Sequence, residues 1–353
     1  MSRKESLAAL GVWTVALAVL SLMLFSSVLL PFALGLAAAY LLDPVADRLQ
    51  LYRLGRTTAA LTITLGFFFI VVLIVSLLLP FVISQGIDLA ERLPSFFDAA
   101  RDRFTPLIEN LLNNGPLQDL MQTDSLLPRI SERAMSIFTA TVNSIIQSSF
   151  AVINLISLIF VTPIVTFYLL RDWDRLVAYS FGLIPHDIRG HAKDLASEVD
   201  DVLAGFFRGQ ALVCTFLAVF YACGLWLVGL QYGLVIGILT GFFSFVPYVG
   251  MLVGTTVGLA VATFQYQEWT MIAVVAAVFA LGQFIEGNFV TPRLVGERIH
   301  LHPVWVIFCV LAGTLLFGFV GTFLAVPVTG VLGVFIRYAI ARYRESGLYG
   351  AGR

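Results

Sequence analysis

Three apolar runs in this chain are too long to cross a bilayer once, straight. Leu7–Leu42, Tyr232–Phe264 and Pro303–Ile340 all exceed the roughly 20 helical residues that match a hydrocarbon core about 30 Å thick. At 1.5 Å per residue, Leu7–Leu42 alone would make a helix about 54 Å long. Each run must therefore break, and each carries breakers: Ser26-Ser27 and Pro31, then Pro247-Tyr-Val-Gly250, then Gly318 to Gly321. A broken helix frees backbone N–H and C=O groups. At membrane depth these are tolerated only where protein or a water-filled cavity receives them.

Composition makes the membrane assignment firm. Of the 353 residues, 59% are hydrophobic and 12% charged, and mean hydropathy is +0.92. Soluble domains carry about 25% charged residues. The expected fold class is all-α: a polytopic helical membrane protein with broken, re-entrant hairpins and a helical extracytoplasmic segment, surrounded by membrane lipid. A net charge of −1 gives no basis for nucleic acid as a partner. Cys214, Cys223 and Cys309 all sit in apolar runs and read as small apolar filler, neither disulfide framework nor zinc site. His300-x-His302 lacks a third ligand, so no metal and no cofactor is expected. The first apolar run is too long for a signal-peptide core and reads as a retained span.

Charge sets the expected topology. Arg3 and Lys4 precede the first run, and Arg48, Arg53 and Arg56 follow it, so it reads as a hairpin with both ends cytoplasmic. Thr57–Val82 then crosses outward and completes a first region, residues 1–82. Residues 83–149 carry more acid than base and are punctuated by Pro94, Pro106, Asn113-Asn-Gly-Pro116 and Pro128, which predicts short amphipathic helices outside the membrane. The core, 150–353, opens with the span Phe150–Leu170. An amphipathic cytoplasmic helix over 185–208 and the span Gly209–Leu230 follow. If Tyr232–Phe264 turns back at Pro247–Gly250, both the Arg293 and Arg298 connector and the arginine-rich C-terminus stay in the cytoplasm. The result is a helix plus hairpin from outside, then a helix plus hairpin from inside: an inverted repeat, whose broken segments are where transporters place substrate. The protein is expected in the cell membrane, with both termini cytoplasmic.

The candidate pathway residues follow from that pattern. Gln283 and Glu286 project from one helical face near the end of the apolar helix Thr270–Gly287, with Asn288 beside them. A carboxylate beside a lipid-compatible helix costs several kcal/mol, so Glu286 reads as an ion or substrate ligand. A cap, or a pair with Arg293 or Arg298, is the structural alternative, and both readings stay open. Ser244, Pro247, Tyr248 and Gly250 form the first tip. Thr314, Gly318, Gly321 and Thr322 form the second, read as gating turns or as plain tight turns. Arg208 and Gln210, with Arg293, mark the cytoplasmic mouth; for Arg208 and Gln210 an interface anchor is the plainer reading. No phosphate-binding Gly-x-x-x-x-Gly-Lys loop, Gly-x-Ser-x-Gly or His-Glu-x-x-His occurs, so no enzyme activity is expected.

Several segments together resemble one family. Thr166-Phe-Tyr-Leu-Leu-Arg-Asp172, Phe207-Arg-Gly-Gln210, Phe245-Val-Pro-Tyr-Val-Gly250, and Glu286-Gly-Asn-Phe-Val-Thr-Pro292 with Gly296 and Leu301-His-Pro303 occur in the order of the autoinducer-2 exporter family. The family's usual turn has isoleucine where Val246 stands. The resemblance implies a homo-oligomeric permease. Its cargo would be a small polar solute such as autoinducer-2, with possible ion coupling, or a monovalent cation exchanged for protons at Glu286. A non-transporting membrane scaffold that docks through residues 84–149 is the reading from another class.

Overall fold

A computed structural model describes residues 29–51, 55–113, 149–294 and 303–345. Among these, 93% are helical and none lies in a strand. The helices are α1 (Leu29–Leu51), α2 (Arg56–Asn113), α3 (Ser149–Gly182), α4 (His186–Leu227), α5 (Gly233–Phe243), α6 (Val249–Gln265), α7 (Trp269–Ile285), a π-turn (Glu286–Val290), α8 (Thr291–Leu294) and α9 (Pro303–Glu345). Five stretches among the described residues are long and apolar enough to cross a membrane: Leu29–Leu51, Arg56–Leu77, His186–Leu227, Trp269–Leu294 and Val304–Glu345. The last is no single crossing, because it folds back on itself. The chain divides into two compact units. One comprises Met1–Phe69, Ile156–Gly209 and Leu294–Arg353; the other comprises Ile70–Leu155 and Gln210–Arg293.

The first unit packs α1 on α2 and α3 through small residues. Ala39, Leu42 and Ala46 meet Ala60, Ile63 and Leu170 in one buried cluster. A side chain on Gly35 would come within 2.7 Å of Val165, so only glycine lets these helices approach so closely. Arg56 binds three ways: Nε donates to Leu170 O at 2.8 Å, Nη1 to Asp47 at 2.6 Å and Nη2 to Asp43 at 3.2 Å. Pro44, inside α1, has no N–H to give the carbonyl of Tyr40 four residues back. Arg208 of α4 supplies the missing donor, Nε to Tyr40 O at 2.8 Å. Tyr40 stacks on Phe207 at 5.9 Å and donates its hydroxyl to Asp200 at 3.0 Å. A cavity of about 210 Å³ opens beside these groups, lined in part by Tyr40, Asp43, Arg56, Trp173 and Arg208.

In the same unit α9 reverses at Gly318, whose φ of 58° and ψ of −136° are not helical. In an unbroken helix Gly313 and Gly321 would lie about 12 Å apart along the axis. Here a Cβ on Gly321 would fall 1.9 Å from Gly313 O, and Thr314 and Thr322 share a hydrogen bond of 2.7 Å. The reversal is therefore at Gly318, and Gly321 belongs to the returning arm rather than to the turn.

The second unit is built on glycine contacts. On α5, Gly237 and Gly241 lie on the α4 backbone: a Cβ on either would come within 2.2 Å of Ala222 N or Ala218 N. Gly254 of α6 faces Thr240 in the same way at 2.1 Å, and Gly258 faces Phe279 at 2.6 Å. With α5 and α6 only about 16 and 25 Å long at 1.5 Å per residue, neither fills a core about 30 Å thick. At the base of this hairpin Tyr232 has φ 61°, and its hydroxyl donates to Asp88 of α2. Gln231 N donates to Gln265 Oε1 at 2.7 Å, and Gln265 Nε2 to Gly229 O at 2.8 Å, tying the entry of α5 to the exit of α6.

Two expectations fail. Helix α2 runs on through Pro94 and Pro106, where breaks were expected, as it does through Pro80. Each proline removes one ladder bond, and the turns on either side carry the helix across it. Helix α4 joins the amphipathic stretch 185–208 to the following span without a break, since Gly205 and Gly209 cost only about 1 kcal/mol each in a helix. The break at Ser26-Ser27, the turns at Asn113-Asn-Gly-Pro116 and Pro128, and Arg298, His300 and His302 lie outside the described residues.

Two predictions follow from this packing. Gly237→Leu should abolish folding by overpacking against the α4 backbone, whereas Gly318→Ala, with open space around its Cβ, should cost about 1 to 3 kcal/mol of backbone strain and still fold. Thermal midpoints in detergent separate the two. The second prediction concerns Asp88, which is held below the usual carboxylate range, first by the Tyr232 hydroxyl and then by Arg92. A depressed carboxylate contributes stability above its unfolded value and loses it as the pH falls through the folded one. The midpoint difference between wild type and Tyr232→Phe should therefore be present at neutral pH and fade below about pH 4.

Candidate functional site

The last turn of α7 and the π-turn that follows hold the charged centre of the second unit. Glu286 opens the π-turn, and the N–H of Thr291 reaches back five residues to its carbonyl. Single π-turns inside α-helices are rare and frequent at functional sites. Asn288 Nδ2 donates to the carbonyl of Phe284, just before the π-turn, at 2.8 Å. Asn288 thus supports the turn that carries Glu286.

Glu286 is half-buried. Among the described residues it has no ion-pair partner; Arg293, about two turns on, does not reach it, and Arg298 lies outside them. One turn before it, Gly282 faces Tyr221 of α4. Tyr221 is 1% exposed, and a Cβ on Gly282 would fall 2.6 Å from its hydroxyl. Only the missing side chain at Gly282 leaves room for that ring end. The hydroxyl nevertheless has no hydrogen-bond partner, and neither have the buried atoms Gln283 Oε1 and Thr255 Oγ1.

Register puts these atoms at neighbouring levels. Helices α6 and α7 are antiparallel, and Gly258 faces Phe279. One turn along each helix brings Thr255 level with Gly282 and Gln283; two turns bring Glu286 level with the start of α6 at Gly250 and Met251. The first tip and Glu286 therefore share a level. The turn itself is Ser244 to Tyr248, and Gly250 already lies in the first turn of α6, where a Cβ would sit 2.3 Å from Ser244 Oγ. Tyr248, 61% exposed, has φ 69°.

Two of the three residues expected at the cytoplasmic mouth serve backbone. Gln210, 9% exposed, donates from Nε2 to Ser244 O at 2.7 Å. Arg208, in the first unit, is committed to Tyr40 O, with Asp43 at 3.8 Å. In the first unit the tip is at Gly318, with Thr314 on the arm before it and Gly321 on the arm after it. Tyr221 and Thr255 were not singled out by sequence, because a tyrosine and a threonine inside apolar runs look like packing. The only signal was Gly282, one position before Gln283, on the helix that faces them.

The centre offers one carboxylate with no counter-charge among the described residues, a phenol, a hydroxyl and an amide oxygen, and the Phe279 ring lies 5.3 Å from that of Tyr221. Buried polar atoms left unpaired cost about 1 to 3 kcal/mol each, so they favour a hydrogen-bonding occupant. Among the described residues no three His, Cys, Asp or Glu side chains are grouped to hold a metal.

Residues 11–341 match the family described as AI-2E family transporter. Among similar proteins is YrrI of Bacillus subtilis (strain 168), provisionally named a transport protein, 30% identical over 315 residues, 88% of this chain and 86% of that one. YueF of the same organism, named likewise, is 26% identical over 88% of this chain and 84% of its own. PerM of Escherichia coli (strain K12), provisionally named a permease, is 26% identical over 87% of this chain and 86% of its own. A match that runs almost end to end, on a helical chain with several apolar spans, makes this protein a member of the AI-2E transporter family.

Proposed function

We propose that this multi-pass membrane transporter is a secondary carrier that exports a small polar solute of the autoinducer-2 kind, bound around Glu286. The observation that carries the reading is the set of unpaired buried oxygens at Tyr221, Thr255 and Gln283, with Tyr221 against Gly282 one turn before Glu286, a carboxylate with no ion-pair partner among the described residues. A hydroxylated solute satisfies all of them, as donor to the carboxylate and amide oxygens and as partner to the hydroxyls. The tip at Pro247, Tyr248 and Gly250 shares the level of Glu286 and gates it. Thr314, Gly318 and Gly321 form the second gate, and Arg293 closes the cytoplasmic end. The protein resides in the plasma membrane as a homo-oligomer, with both termini and residues 185–208 cytoplasmic and residues 83–149 outside. A second reading, exchange of a monovalent cation for protons at Glu286, is favoured by the same lack of a counter-charge.

Proteoliposomes test both readings. Wild-type protein should take up labelled autoinducer-2, and Glu286→Gln should lower that uptake by about tenfold or more. Proton flux triggered by Na⁺ or K⁺, with no solute uptake, would select antiport. Wild-type uptake by Glu286→Gln, with no cation-driven flux, would sink both. Tyr221→Phe gives a separate check. Its hydroxyl has no partner in the fold, so removal should leave the thermal midpoint unchanged or slightly higher. Uptake should nevertheless fall about tenfold if the hydroxyl meets the solute, one lost hydrogen bond being worth about 1.4 kcal/mol.

A further inference from the structure

We infer that Gln210 is a positioning residue: a catch that holds the tip of the first hairpin against α4 and so sets access to the level of Glu286. This rests on the reading of Glu286 as the ligand site and adds the part that moves. The Gln210 side chain is buried, and its Nε2 donates to two successive tip carbonyls, Ser244 O at 2.7 Å and Phe245 O at 3.4 Å. Both carbonyls lie past the end of α5, where a helix ladder no longer supplies N–H donors.

The tip is a strained turn. Tyr248 sits at φ 69°, a region disfavoured for any residue with a Cβ, and such conformations persist only where surrounding contacts over-determine them. Most contacts of this turn are internal to the hairpin and travel with it: Ser244 Oγ donates to Thr240 O at 2.8 Å, the N–H groups of Phe245, Val246 and Val249 close short turns, and Gly250 lies close under Ser244. Towards α4, the α5 arm is docked where Gly241 meets Ala218, one turn before the tip, and Gln210 grips beyond that point. Losing the Gln210 bond frees the end of the hairpin while Gly241 stays docked. Tyr248 itself is exposed.

A thiol reporter tests the catch without knowledge of the solute. Cys214, Cys223 and Cys309 are replaced by alanine, and Ser244→Cys, at a buried tip position, is introduced in the full-length protein in proteoliposomes. A second chain carries Tyr179→Cys, an exposed position in the other unit. Both are labelled with a hydrophilic maleimide. Gln210→Met keeps the bulk and removes the donor; Gln210→Leu removes the donor with a different shape. Labelling at position 244 should rise about tenfold in both, the worth of one hydrogen bond, while position 179 stays at its starting rate. Unchanged labelling at 244 in both variants overturns the inference. So does an equal rise at 179, which means general loosening, or a rise in Gln210→Leu alone, which means lost packing rather than a lost donor. Labelling reports no substrate and solute uptake reports no tip, so failure of one leaves the other standing.

Discussion

A helix buried in hydrocarbon must find a partner for every N–H and C=O, and each interruption of the ladder frees some of them. The described structure answers several interruptions with a polar side chain that donates to a carbonyl. Arg208 covers the carbonyl that Pro44 leaves open in α1. Gln210 covers the carbonyls at the first tip. Asn288 donates to Phe284 O at the entry to the π-turn. Arg56 reaches Leu170 O at the end of the apolar part of α3. Each donor is an amide or a guanidinium, which has N–H groups to spare and can reach across a helix. The polar residues that punctuate the apolar runs are thus explained first by backbone chemistry, and the few polar atoms left without such a partner gain meaning by contrast.

Among the described residues six buried side-chain atoms lack a partner: Thr64 Oγ1, Thr162 Oγ1 and Arg189 Nε in the first unit, and Tyr221 Oη, Thr255 Oγ1 and Gln283 Oε1 in the second. Close approach at Gly254, Gly258 and Gly282 brings α4, α6 and α7 near enough for Tyr221, Thr255 and Gln283 to be shut away from solvent. Small residues at helix contacts commonly serve packing alone. Here the glycine at position 282 also makes room for a phenol end beside a carboxylate, so packing and chemistry share one residue.

Much of the architecture was legible in the residues. Run lengths against bilayer thickness required breaks, and the described breaks fall at Ser244 to Tyr248 and at Gly318, within a residue or two of the expected turns. Proline was the less faithful guide. Pro247 marks a turn, yet Pro44, Pro163 and Pro327 sit inside continuous helices, because one missing N–H is tolerable where a neighbour supplies a donor or the next turns hold. Sequence spacing joined Gln283 to Glu286 but had no means of joining Tyr221 to them, since that contact depends on the register between α4 and α7. Arg208 and Gln210 stand two positions apart and look alike as mouth residues. Their different targets, Tyr40 O and Ser244 O, arise from which helices lie alongside each of them.

The π-turn at Glu286–Val290 has a geometric corollary. Such a turn is an α-helix carrying one surplus residue, taken up by a local bulge instead of being passed along the axis. Excising any one position from Gly287 to Phe289 would let the spiral close into ordinary α geometry and leave everything downstream facing as before, because five residues of a π-turn sweep about the same angle as four of an α-helix. Thr291, Pro292 and Arg293 would keep their side of the rod. The bulge therefore acts as a slack loop in the spiral: it widens the rod just beyond the carboxylate and leaves the aim of the basic end untouched.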